Sequence, residues 1–231
     1  IRKIFEKEYA SDIVEFIEKE FELDLYPYQS NMIDEIVYNN ITMISSSRNM
    51  GLTSMALWYT ASEALLNSNH KIIFIYPNYS QNMKTKKDLY DLFKHLFENF
   101  GYTVKEAVKL NRKNYIKLYN GSEIIFSSTS ELEKNKESLR NVDIMVYDNA
   151  GYDIDVYGHG IKTIDECLTL TNNKDIKILL LNTGSPQINS VFEIMASCIA
   201  SGKFVDSDLK ISTFHIPWYV APRKKYKMIK S

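Results

Sequence analysis

The sequence is poor in the features that would mark a special class. Only two cysteines, Cys167 and Cys198, occur in 231 residues, and they fall on separate helical patterns. That argues against a disulfide framework and a thiolate metal site, and favours a reducing, intracellular setting. His70, His95, His159 and His215 show no metal-ligand spacing. No apolar run approaches the ~18 residues needed to span a bilayer, and no signal-peptide pattern follows Ile1. No membrane partner is therefore expected. Charge of one sign is also missing: 28 basic residues face 29 acidic ones, for a net charge of −1. Any contact with nucleic acid must then come from a local patch.

What is present, 45% hydrophobic and 25% charged residues, suits one large α/β domain with small additions. Periodicity of 3.6 residues predicts a helix over 11–21, capped by Ser11, and a second after Pro27 with Met32, Ile33, Ile36 and Val37 inward. A short strand over 41–45 then runs into a polar loop containing Gly51 and Thr53, and a helix follows over 54–67. Near-continuous apolar runs at 71–76, 142–147 and 176–181 read as strands buried on both faces. Between them the spacing predicts a helix over 80–99 and a hairpin, 115–119 and 123–128, joined by Asn120-Gly121. A loop over 149–160, helices over 162–170 and 188–201 and a strand over 210–216 complete the pattern. Four or five buried strands alternating with helices predict a mostly parallel sheet covered on both faces. Ligands on such sheets bind past the carboxyl ends of the strands. The Gly51 loop, Asp148 and Thr183-Gly184-Ser185-Pro186 all lie there.

Strand, glycine-containing loop and helix make a phosphate-binding architecture. The helix N-terminus offers N–H groups and positive dipole to an anion, and a Ser/Thr hydroxyl can ligate Mg²⁺. An apolar run ending in aspartate, Asp143-Ile-Met-Val-Tyr-Asp148, supplies a carboxylate for the same cation. Read without further context, Asp148 is equally a loop or helix-cap residue, Arg48 a solvated loop charge, and Tyr28-Gln29 the start of a helix with a surface glutamine.

The order of these stretches resembles the ATPase domain of the large subunit of tailed-phage and herpesvirus terminases. Leu25-Tyr-Pro-Tyr-Gln29 is similar to that family's adenine-recognition motif, and Ser47-Arg-Asn-Met-Gly-Leu-Thr-Ser54 to its phosphate loop. Asn120-Gly-Ser-Glu-Ile124 resembles the hairpin before the second motif, and Ser138-Leu-Arg140 the segment just upstream of it. Leu181-Asn-Thr-Gly-Ser-Pro186 resembles the motif that couples hydrolysis to movement. The likeness runs from about Leu25 to Trp218.

The resemblance implies a P-loop NTPase fold of the additional-strand, RecA-like type. Residues 25–220 would form the ATPase domain, 1–24 an N-terminal helical extension, and 221–231 a basic tail that starts a further element. It implies ATP and Mg²⁺ as cofactors. Tyr28 and Gln29 would hold the base, and Ser47, Arg48, Asn49, Met50, Gly51, Leu52, Thr53 and Ser54 the phosphates. Thr53 and Asp148 would hold the metal, and Thr183, Gly184 and Ser185 would sense the γ-phosphate. Arg48, Asp148 and Asn149 take the catalytic positions. The implied partners are double-stranded DNA, a portal protein, a small terminase subunit and further copies in a ring. The implied place is the host cytoplasm, or a eukaryotic host's nucleus, and transiently the capsid portal.

Two residues depart from the family pattern. Leu52 stands where a lysine is usual, leaving Arg48 as the cation of the loop, and the two cations are not equivalent. Asn149 stands where the family has a glutamate. A carboxamide can orient a water but cannot take its proton, and losing a base typically forfeits ~10²–10⁴ in rate. A non-hydrolysing scaffold that keeps the fold is the alternative reading. A helicase is a third, weakened by the absence of an Asp-Glu-x-[Asp/His] box. Lys84, Lys86, Lys87 and the tail Arg223–Lys227 are solvated charges or, as a hypothesis, a track for phosphate backbone.

Overall fold

The computed structural model describes residues 12–77, 79–155, 158–170, 175–202 and 208–217. The expected basic tail, and residues 1–11 of the expected N-terminal extension, lie outside them. The chain begins with α1 (Ile13–Glu20) and α2 (Pro27–Tyr38), then β1 (Ile41–Ser46) and α3 (Leu52–Leu66). It continues through β2 (Lys71–Ile75), α4 (Tyr79–Asn99), the short α5 (Val104–Ala107), β3 (Val108–Arg112), β4 (Tyr115–Leu118) and β5 (Glu123–Ser127). After α6 (Thr129–Lys134) come β6 (Ile144–Tyr147), α7 (His159–Leu170), β7 (Lys177–Thr183), α8 (Val191–Ala200) and β8 (Ile211–Ile216).

The sheet has eight strands in the order β3-β4-β5-β2-β6-β7-β1-β8. From β5 to β8 every neighbouring pair is parallel, and β4 alone runs against them. Strand β7 sits between β1 and β6, so an additional strand separates the strand that enters the Gly51 loop from the one that leads into Asp148. This is the RecA-like P-loop arrangement.

Period-two alternation divides the strand residues between two cores. Ile72, Phe74, Leu179 and Leu181 face one core, with Phe16, Ile17, Met32, Met55 and Phe93 from α1–α4. Ile73, Ile75, Ile178 and Leu180 face the other, with Leu132, Ile164, Cys167, Val191 and Met195 from α6–α8. Helices thus cover both faces, and α1 packs into the same core as α2 and α3.

The structure differs from the expected pattern in several places. The strand count is higher because β3, Val-Lys-Leu-Asn-Arg, is an edge strand that buries only Val108, too little alternation to betray it. Helix α1 is capped by Asp12, whose carboxylate accepts from the Glu15 N–H at 2.9 Å. Helix α7 starts inside the expected loop, at His159, because the Asp155 carboxylate accepts from the N–H groups of Gly160 and Ile161 at 2.9 and 3.0 Å. The β4–β5 connection takes four residues, 119–122. There the Asn120 side chain donates to the carbonyls of Ala64 and Asn67 and closes the end of α3. Ser138-Leu-Arg140 precedes β6, so both stretches lie at the sheet edge opposite the strand carboxyl ends. Arg140 forms an exposed ion pair with Glu137.

Candidate functional site

At the carboxyl ends of β1, β6 and β7 the sheet opens into a cleft of about 890 Å³. Its floor is the turn after β1. Asn49 and Gly51 take left-handed backbone there, with φ of 63° and 79°, which turns the chain sharply into α3. Asparagine and glycine are the residues that adopt this region most readily. The N-cap residue of α3 is Gly51, which has no side chain to cap the helix. The first N–H groups of α3 have no side-chain cap and sit where Gly51, Leu52, Thr53 and Ser54 line the cleft. Arg48 is exposed on the same wall and makes no ion pair among the described residues.

Beneath the loop, the Thr53 hydroxyl donates to the Asp148 carboxylate at 2.6 Å. This contact spans β7, linking the helix after β1 to the end of β6. Asp148 is 2% exposed. Burial raises its proton affinity, opposed by hydrogen bonds from Thr53 and the Asn149 N–H (2.9 Å). The buried Tyr76 hydroxyl also lowers it from close by, although no hydrogen bond of regular geometry forms. Asn149 follows with a left-handed φ of 58° and lines the cleft.

The far wall joins the loops after β6 and β7. The Tyr152 hydroxyl donates to the Thr183 carbonyl at 2.8 Å, and the Gln187 N–H to the Gly151 carbonyl at 2.8 Å. Gly184 N–H donates to the Ser46 carbonyl at 2.7 Å, tying the same loop to the end of β1. Gly151 packs so tightly on Asn182 that a Cβ there would lie 1.9 Å from its Oδ1. That Oδ1 is buried without a hydrogen-bond partner among the described residues.

The residues expected from sequence divide between the cleft wall and its support. Gln29, Arg48, Asn49, Met50, Gly51, Leu52, Thr53, Ser54, Asn149 and Thr183 line the cleft. Ser47, Tyr28, Asp148, Gly184 and Ser185 do not. Ser47 turns aside as Ser46 Oγ donates to its carbonyl at 3.0 Å, and Ser46 takes its place on the wall. Tyr28 is buried behind the loop, its hydroxyl 3.4 Å from the Met50 carbonyl. Asp148 lies under Thr53, and Gly184 and Ser185 sit in the exposed turn beyond Thr183. Trp58, Pro77, Gln81 and Tyr152 also line the cleft without having been singled out. Only tertiary convergence brings them there, and nothing in their local sequence signals it. Asp153 and Asp155, the nearby acids, are engaged elsewhere. Tyr147 donates to Asp153, and Asp155 caps α7. No Asp or Glu lines the cleft among the described residues.

Comparison with solved structures finds the same architecture in phage large terminases. The Thermus phage P74-26 large terminase ATPase domain superposes with a TM-score of 0.62 at 17% identity, over 91% of this chain and 87% of that one. The chain has the fold of a terminase ATPase domain. The HK97 bacteriophage large terminase matches with a TM-score of 0.62 at 16% identity, over 92% of this chain and 44% of that one. The terminase-like fold is also related to helicase cores: the UvsW helicase from bacteriophage T4 gives 0.55 at 16% identity, over 89% and 67% of the two chains. No protein-family model matches the sequence, and no curated protein is detectably similar to it in sequence.

Proposed function

We propose that the cleft binds ATP with Mg²⁺ and that the chain is the ATPase motor module of a viral DNA-packaging terminase large subunit. The observation that carries this reading is the uncapped N-terminus of α3 above Gly51, with Arg48 beside it and the Thr53–Asp148 pair beneath. An anion is favoured by the N–H groups and the cation together. A hydroxyl and a carboxylate 2.6 Å apart are hard oxygen donors that fit Mg²⁺. Bound there, the cation would offset the burial that raises the proton affinity of Asp148. Arg48 would neutralise the terminal phosphates, Asn149 would orient the attacking water, and the Thr183 loop would respond to the γ-phosphate.

In this reading the partners are double-stranded DNA, a portal protein, a small terminase subunit and further copies in a ring. Work would take place in the host cytoplasm or nucleus and at the capsid portal. Among the described residues no helix is long and apolar enough to cross a membrane. One observation favours the second reading, a nucleotide- or DNA-binding scaffold with impaired hydrolysis: among the described residues the cleft wall carries Asn149 and no carboxylate.

The test is titration with a fluorescent ATP analogue, with and without Mg²⁺, with phosphate release followed in the same samples. Binding should depend on Mg²⁺ and weaken by about tenfold or more in Arg48→Ala, as expected for loss of a charge-assisted phosphate contact. Measurable hydrolysis in the native protein supports the motor; binding without turnover, with hydrolysis appearing in Asn149→Glu, supports the scaffold. No binding at millimolar nucleotide rejects both nucleotide readings.

A further inference from the structure

Gln29 occupies the position from which, by resemblance, a glutamine reads the edge of adenine. Its geometry in this chain is that of a brace. The side chain is 2% exposed. Its Oε1 accepts from the Tyr26 N–H at 3.0 Å, closing the first turn of α2. Its Nε2 lies against the phosphate loop, 3.3 Å from where a Cβ on Gly51 would stand. Its neighbour Tyr28 supports the preceding residue of the loop, with its hydroxyl 3.4 Å from the Met50 carbonyl. Two consecutive residues of one helical turn therefore support two consecutive residues of the loop, Gln29 from the cleft wall beside Gly51 and Tyr28 from the core side beneath Met50.

Reading adenine takes both ends of a carboxamide at once, one toward N6 and one toward N7. Here one end is held by Tyr26 and the other rests on Gly51. What the same turn offers to a base is the half-buried ring of Tyr26, backed by the buried Tyr28. Tyr26 and Tyr28 stack with ring centroids 5.7 Å apart and planes 8° from parallel. They line a second hollow of about 560 Å³ with Phe214 and His215. Stacking surfaces accept any base, since every base has a π-face.

We propose that the site selects a nucleoside triphosphate by its phosphates and is indifferent to the base, with Gln29 as a positioning residue for the phosphate loop. This rests on the nucleotide-binding reading above and deepens it.

The experiment measures binding of the Mg²⁺ complexes of ATP, GTP, CTP and UTP, and of inorganic tripolyphosphate, to the native protein by calorimetry. Gln29→Ala and Gln29→Glu are measured beside it, with thermal melting of each. The four nucleotides should bind within about threefold of one another, and tripolyphosphate should compete with all of them. Gln29→Glu keeps an oxygen for the Tyr26 N–H but buries a carboxyl, so its melting temperature should fall at pH 7 and return toward the native value near pH 4. It places a carboxylate beside the loop, so every nucleotide and tripolyphosphate should weaken together by about tenfold or more. Gln29→Ala should weaken all ligands in parallel and leave their ratios unchanged. A native preference for ATP over GTP and UTP above about tenfold, erased in Gln29→Ala, would overturn the proposal, because edge-reading sites discriminate strongly. That outcome leaves nucleotide binding intact. Failure of every ligand, tripolyphosphate included, overturns the nucleotide reading and this proposal with it.

Discussion

Asp148 shows how one buried residue sets a pH dependence. Its carboxyl is raised above the ordinary aspartate range chiefly by burial. A raised folded-state value means that the folded protein holds the proton more tightly than the unfolded chain. The associated stability is therefore complete below the unfolded aspartate value near 3.9 and is lost as pH rises through the folded value. Asp148→Asn removes the charge and keeps the shape. Without Mg²⁺ or nucleotide, it should melt higher than the native protein at pH 7, and the difference should shrink toward zero as the buffer is taken down to about pH 4. A difference that stays constant with pH would show that Asp148 is not the titrating group. Its neighbour Asn149 has a second constraint. At φ 58° an asparagine is at ease, while a glutamate pays roughly 1–2 kcal/mol for the left-handed backbone. Asn149→Glu should accordingly melt below the native protein even where it hydrolyses ATP. The carboxamide thus has a conformational reason to be there that is independent of proton transfer, and sequence alone showed only its chemical side.

At the scale of elements, the decisive contact joins the loop after β6 to the loop after β7. Gly151 and Asn182 leave no room for a methyl group. Gly151→Ala should destabilise the fold by about 1–3 kcal/mol through overpacking. Asn182→Ala removes the atoms in the way, so the double variant should recover part of that loss, giving a coupling of about 0.5 kcal/mol or more in a denaturant-unfolding cycle. Additive effects would mean that the loops are independent. The elements on either side were legible because β6 and β7 are nearly unbroken apolar runs, and because Gly51 and Thr53 lie between a strand and a helix. Helix α5 was less visible: Thr103 and Glu106 form a capping box, but only four helical residues follow. The start of α7 was hidden by Gly158-His159-Gly160, which reads as a turn until Asp155 is seen to cap it.

Across the whole molecule, stability should follow the order of the sheet. Strands β6, β7 and β1 lie in its parallel interior between two cores, whereas β3 is an edge whose residues after Val108 are all exposed. In native-state hydrogen exchange, amides of β6, β7 and β1 should open only with global unfolding, and those of β3 should exchange much faster through local opening. Equal protection in β3 and β7 would contradict this ordering. The parallel interior was readable from the sequence because strands buried on both faces must be apolar throughout. The antiparallel margin was only partly readable, because nothing buries an edge strand's outer residues and its pattern therefore carries little information.

Strand β8 runs parallel to β1, with Ile216 opposite Ser46, and His215 shares a 2.9 Å hydrogen bond with Ser45. The polypeptide therefore leaves the sheet on the cleft's own rim, one strand's width, about 4.8 Å, from the start of the loop that holds Arg48. Whatever continues past Pro217 begins beside that loop. A shift of Ser46 would be felt directly at Ile216, its partner across a single strand pair, with no helix between the two to absorb it.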